Sequence, residues 1–219
     1  MPTNPDPLAF GTFYHIFNRG NNHENIFIQE RNYAYFMELW WKHTSRIAET
    51  YAFCLLKNHF HVTGYIKAEA DLTGFRESTP DIRQGPRKHP DRKKAEENLS
   101  GLKPPSQYFA NFFNAYTRGV NLATGRSGAL FERPFKRIPV TDERYLMRLI
   151  VYIHQNPQKH KFVEDFRAWN YSSYHDLVSN APTRLQRDKM MELFGSREDF
   201  IRIHQEIQLF DFDDEDESP

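Results

Sequence analysis

Two strand-like runs separated by only two residues constrain this chain most. Tyr51 to Leu56 and His59 to Ile66 are rich in apolar residues, and Lys57-Asn58 between them reads as a tight turn. Strands joined so closely pair as an antiparallel hairpin. Upstream, Phe10 to Phe17 alternates aromatic with small or polar residues and reads as another strand, ending in the turn cluster Asn18-Arg19-Gly20-Asn21-Asn22. Between it and the hairpin, Glu30 to Glu49 carries Tyr33, Phe36, Met37, Trp40 and Trp41 at helical spacings.

Beyond the hairpin, Ala68 to Gly74 has the start of a further helix. Ser106 to Leu122 is a helix rich in aromatics, and Gly125 to Gly128 is a loop. Phe135 to Val140 is a short strand that Pro139 places near an edge. Thr141 or Asp142 can cap the next helix, predicted to run to about Gln155 and to stop at Asn156-Pro157. Arg187 to Gly195 and Glu198 to Gln208 read as small C-terminal helices. The order strand, helix, strand, strand, helix, strand predicts an α+β fold, a ferredoxin-like βαββαβ sandwich with an antiparallel sheet, plus C-terminal helices. Such a sheet has helices on one face and leaves the other available for a site.

The chain's 219 residues fit one domain able to bury a core. Its single cysteine, Cys54, lies in an apolar run, which excludes an intramolecular disulfide and predicts a buried thiol. No leader peptide opens the chain, and no apolar run approaches the roughly 18 residues of a membrane span. A cytoplasmic protein is expected.

The net charge of zero conceals an asymmetry. Residues 211–219 hold six acids and no Lys or Arg, so the rest of the chain carries 29 basic against 23 acidic residues, a net of +6. The acidic end reads as a disordered tail. Residues 76–104 form an insertion with several prolines, and within 83–94 six basic residues face one acid, Asp91. It is either a solvated loop or a phosphate-contacting flap.

His59-Phe60-His61 carries the chemistry. Successive strand side chains point to opposite faces, so His59 and His61 share one face while Phe60 and Val62 share the other. Two such imidazoles are either satisfied polar residues or a chelating pair. In the last core helix, Tyr152 and Asn156 are i and i+4, on one face one turn apart. His154 and Gln155 point elsewhere. Asn156 offers an amide oxygen. Tyr152 offers a phenol, a weak nucleophile unless a metal or base helps, or simply a core ring. Two imidazoles and an amide oxygen suit Mg²⁺ or Mn²⁺ with positions open for a phosphate oxygen. A tyrosine attacking phosphorus leaves a phosphotyrosine link and a free 3′ hydroxyl, and a second hydroxyl can reverse the step.

Several ordered segments together resemble the HUH single-tyrosine transposases, within them the REP-associated branch, an IS200-like transposase domain. Tyr14-His15-Ile16-Phe17-Asn18-Arg19-Gly20 resembles the family's opening strand and turn. Leu56-Lys57-Asn58-His59-Phe60-His61-Val62 resembles its metal motif, with Lys57 where proline is usual. Gly128 to Lys136 is similar to its Arg-rich loop and strand, with Pro134 where glycine is common. Tyr152-Ile153-His154-Gln155-Asn156-Pro157 resembles its nucleophile helix, and Trp169 to Tyr174 its closing segment. The resemblance implies His59, His61 and Asn156 at a metal ion and Tyr152 as nucleophile. It implies a transposase domain over 10–175; Pro2, Pro5 and Pro7 before it read as a flexible arm at 1–9, and the small helices after it as a helical extension at 176–210. Its partner would be single-stranded DNA that folds into hairpin repeats, bound by a monomer or homodimer associated with the nucleoid.

Residues 115–137 hold Arg118, Arg126, Arg133, Lys136 and Arg137 against the single acid Glu132. With Asn18 and Arg19 these are the candidate DNA contacts; the alternative is an ordinary solvated edge. Two other functions stay open on the residues alone. One is a non-catalytic nucleic-acid-binding module; the other is a metal phosphodiesterase that uses water and leaves no protein–DNA link.

Overall fold

The computed structural model describes residues 7–72 and 102–207; the basic run at 83–94 and the acidic tail lie outside the described residues. Its core is β1 (Thr12–Arg19), α1 (Arg31–Thr44), β2 (Ala48–Leu55), β3 (His59–Ile66), a one-turn α2 (Glu69–Leu72), α3 (Pro105–Thr124), β4 (Lys136–Val140) and α4 (Glu143–Lys159). Three further helices follow: α5 (Tyr174–Val178), α6 (Arg187–Phe194) and α7 (Arg197–Glu206). The four strands form one sheet in the order β2-β3-β1-β4, every neighbour antiparallel. This is the ferredoxin-like arrangement the element order predicts.

Strand periodicity divides the sheet. Paired residues share a face, so Ile16, Phe60 and Val62 line one side and Phe17, His61 and Lys136 the other. On the first side α1 and α3 pack aromatics against the sheet. Phe36 meets Phe60 at 4.9 Å and Phe112 at 4.8 Å between ring centroids, and Trp40 meets Phe109 at 5.5 Å. The polar ends are satisfied: Trp40 Nε1 donates to Thr50 Oγ1 and Tyr116 Oη to Ile26 O. The two helices approach closely because Gly119 is a glycine. A Cβ there would lie 2.4 Å from the Tyr35 hydroxyl oxygen.

α4 covers the second side, so that face is not left open as the element order suggested. Asp142 caps it by accepting from Tyr145 N at 2.8 Å. Pro157 does not end the helix. It lacks the N–H that would bond to Ile153 O, yet the helix continues to Lys159, with His160 N donating to Asn156 O. α1, by contrast, is shorter than its spacing predicts: it stops at Thr44, whose hydroxyl turns back to Trp40 O, and β2 begins at Ala48.

Residues 169–173 run along the outer edge of β2 and satisfy its backbone. Leu55 N donates to Tyr171 O, Ser173 N to Phe53 O, and Trp169 Nε1 to Leu55 O. The C-terminal helices fasten to the back of α4 through imidazoles. His204 Nδ1 donates to Phe200 O, so its Nε2 accepts from His154 Nδ1 at 2.8 Å, and His154 Nε2 accepts from Ser173 Oγ. Burial holds both rings neutral, His204 down to about 4 and His154 well below the ordinary value. Cys54 is fully buried, and burial pushes its thiol up.

Candidate functional site

The two histidines of β3 project from the sheet toward α4. β1 runs beside β3 with Phe17 opposite His61 and Arg19 opposite His59. His61 is 1% exposed; His59 is partly exposed at the end of the strand. α4 brings its last turns over them. The Tyr152 ring lies edge-on to His61 at 5.7 Å between centroids, and Asn156 Oδ1 is 3.3 Å from His59 Nε2. The four residues expected to act together, His59, His61, Tyr152 and Asn156, therefore meet on one face from β3 and α4.

The hydrogen bonds constrain the donor set. Asn58 Oδ1 only accepts, so His59 Nδ1 donates to it at 2.8 Å and His59 Nε2 keeps its lone pair. That lone pair faces the Asn156 amide oxygen, another acceptor. Two acceptors turned toward each other suit a shared cation; the amide relieves the contact otherwise by turning its NH₂ inward. His61 uses Nδ1 toward His15, at 3.0 Å, while its Nε2 is buried without a hydrogen bond. Imidazole nitrogens and an amide oxygen so placed fit a hard divalent ion. Among the described residues no group of three or more His, Cys, Asp or Glu assembles, so such an ion would depend on the asparagine.

Tyr152 is 1% exposed. Its phenol lies within the face but is covered, and the Lys159 ammonium sits 4.8 Å from the ring centroid. Lys159 and His160, whose ring packs 5.0 Å from that of His59, come to the site because the helix continues through Pro157. His15 is a further residue that the pattern did not single out. Its signal was the alternation Phe13, His15, Phe17, which becomes readable only once β1 is known to pair with β3.

The expected DNA contacts separate. Arg19 and Lys136 lie on the face of the histidines, Arg19 paired with Glu132 at 2.6 Å and Lys136 over the Phe17 ring. Asn18 and Arg137 turn to the other face. Asn18 is buried and its amide donates to Glu132 O, while Arg137 lies over the Phe135 ring. Arg133 is exposed beside a cavity of about 450 Å³ walled by Asn18, Phe113, Phe131 and Phe135. Arg118 and Arg126 stand at the far end of α3, Arg126 paired with Glu24 and bonded to Asn121. No helix among the described residues is long and apolar enough to cross a membrane.

A solved structure of a REP-associated tyrosine transposase bound to a REP hairpin shares this architecture. It aligns with a TM-score of 0.55 over 83% of this chain and 88% of that one, at 16% sequence identity. At that identity the likeness is one of fold. No family model and no curated protein matches the chain.

Proposed function

We propose that the protein is a single-tyrosine HUH transposase, cleaving and rejoining single-stranded DNA beside hairpin repeats. One observation carries the reading: His59, His61, Tyr152 and Asn156 converge on one face although 97 residues separate His59 from Asn156. The shared fold with a transposase bound to a REP hairpin supports the substrate class.

In this reading His59, His61 and Asn156 hold a divalent ion, Mg²⁺ or Mn²⁺. When bound, it supplies Lewis-acid polarisation of the scissile phosphate. The remaining steps belong to the chain. Arg19 and Lys136, on the same face, neutralise backbone phosphates and give salt-sensitive binding. Lys159 withdraws from the Tyr152 ring as the strand enters and meets the phosphate charge. The Tyr152 oxygen then attacks phosphorus in line and loses its proton. The bond from phosphorus to the 3′ oxygen breaks, that oxygen takes up a proton, and a 5′-phosphotyrosine remains. Attack by another 3′ hydroxyl reverses the step and joins strands, which separates this chemistry from hydrolysis by water. We place the protein in the cytoplasm with the nucleoid and treat the helices after α4 as an extension that braces the tyrosine helix.

The test is a denaturing gel of protein, Mn²⁺ or Mg²⁺ and labelled hairpin-bearing single-stranded DNA from the flanks of the gene. A covalent adduct that disappears in Tyr152→Phe is expected. An adduct that survives the substitution removes Tyr152 from the mechanism. The burial of Tyr152 favours one second reading, a non-catalytic nucleic-acid-binding module. That reading predicts hairpin binding with no adduct under any metal.

A further inference from the structure

We propose that His15 is a positioning residue that fixes the tautomer of His61, so that Nε2 of His61 presents its lone pair to the metal ion; this rests on the metal reading of the His59–His61 pair. His15 sits on β1 opposite Thr63, one pleat along from the Phe17–His61 pair, and is therefore a diagonal neighbour of His61 on the same face. Its Nε2 lies 3.0 Å from His61 Nδ1, with both residues 1% exposed. Phe17 packs beside both rings. The planes of His15 and Phe17 differ by 27°, those of Phe17 and His61 by 19° and those of His15 and His61 by 23°. This near-parallel stack keeps the imidazole of His61 from turning to exchange its nitrogens.

A hydrogen bond between two ring nitrogens joins one N–H to one lone pair. If His15 Nε2 carried the hydrogen, His61 Nδ1 would accept and the neutral ring would bear its own hydrogen on Nε2, which then binds no cation. If His61 Nδ1 carries it, Nε2 is the ligand atom. Since Nδ1 is taken up with His15, a metal at His61 must use Nε2, and His15 must accept. The two histidines of β3 are then built alike. Asn58 takes the Nδ1 hydrogen of His59 and His15 takes that of His61, so both present Nε2 to the same side. Acceptors of this kind commonly orient metal-binding histidines, and their loss weakens metal affinity roughly 10- to 100-fold. Here the acceptor is a third imidazole, held on a sheet strand.

The experiment uses the full chain. Long-range ¹H–¹⁵N correlation spectra of the metal-free protein report which nitrogen of each imidazole is protonated. His61 is expected with hydrogen on Nδ1 in the wild type and as a mixture of tautomers in His15→Phe, which keeps a ring in the stack but has no acceptor. Mn²⁺ affinity, read by electron paramagnetic resonance, is expected to fall roughly 10- to 100-fold in His15→Phe. It should recover toward wild type in His15→Gln, whose amide oxygen can accept. Should His15→Phe fail to fold, the wild-type spectrum and His15→Gln still decide. Hydrogen on Nε2 of His61 in the wild type overturns the proposal, as does unchanged affinity in His15→Phe. The control is the double variant His59→Ala, His61→Ala. Unchanged Mn²⁺ affinity there overturns the metal reading itself. Affinity lost there but kept in His15→Phe overturns only the part given to His15.

Discussion

The two faces of the sheet are built from the same four strands to opposite ends. Toward α1 and α3, β3 turns Phe60 and Val62 into a dry aromatic layer whose few polar ends are bonded. Toward α4, the alternate residues of the same strand are His59 and His61, facing His15, Asn156 and Tyr152. Imidazoles and amides buried on a sheet stabilise a fold less than hydrocarbon of the same size, because each must find a partner. One face is therefore built from hydrocarbon, and the other, where the proposed chemistry would sit, from polar groups at some expense of stability.

That division makes the faces separable by mutation. On the site face, Tyr152→Phe is expected to abolish the covalent adduct while the urea midpoint stays near wild type, since the ring and its packing survive. A large loss of stability in Tyr152→Phe, with adduct retained, would make this face a second core. On the opposite face, Phe36→Ala removes a fully buried ring among Phe60, Phe112 and Trp40 and is expected to lower stability by about 3–5 kcal/mol. Chemical denaturation measures it, and well below the midpoint the adduct should still form. A loss under about 1 kcal/mol would mean that the aromatic layer repacks.

These contrasts also explain what was legible in the sequence. β3 matches its expected bounds, His59 to Ile66, because a two-residue turn and a period of two are local signals. The shared face of His59 and His61 follows from the pleat alone. Helical geometry alone separates the faces of His154 and Gln155 from that of Tyr152, and the structure turns both toward the C-terminal helices. What they face, His204 in α7 and Ile207 just past its end, lies about 50 residues on. His15 was hidden for the same reason: alternation groups it with Phe17, but only the β1–β3 register puts it against His61. Pro157 reads as a stop because a proline inside a helix removes a bond to the carbonyl four residues back and crowds it; the helix nevertheless runs on and carries Lys159, with His160 at its end, to the site.

Acid should act behind the site face, where α7 meets α4. His204 is held at about 4 by burial; it is bonded to His154 and surrounded by Phe166, Tyr174, Phe194 and Phe200. An unfolded histidine takes its proton near 6.5, so between about pH 6.5 and 4 the unfolded chain binds more protons than the folded one. Stability is then full above that window and falls as the pH drops through it. His204 alone contributes on the order of 3 kcal/mol to this fall. Urea midpoints at pH 7, 6, 5 and 4 check it; a flat profile would mean that His204 accepts a proton without leaving its place.

The smallest effect expected lies at the start of the helix that bears the tyrosine. Asp142 is exposed and accepts from Tyr145 N, one of the amides at the first turn of α4 that has no partner within the helix. Its carboxylate also meets the positive end of the helix dipole. Asp142→Ala is expected to lower stability by about 1 kcal/mol, and Asp142→Asn, which keeps an oxygen in place, by a fraction of that. Because Asp142 lies nearly three helical turns from Tyr152, adduct yield and Mn²⁺ affinity should not change at temperatures where the variant is folded. If Asp142→Ala instead lowers metal affinity with little change in the urea midpoint, fraying at one end of α4 reaches Asn156 at the other. The tyrosine helix would then move as a unit against the histidine strand, and the site face would owe its geometry to that helix as much as to the sheet.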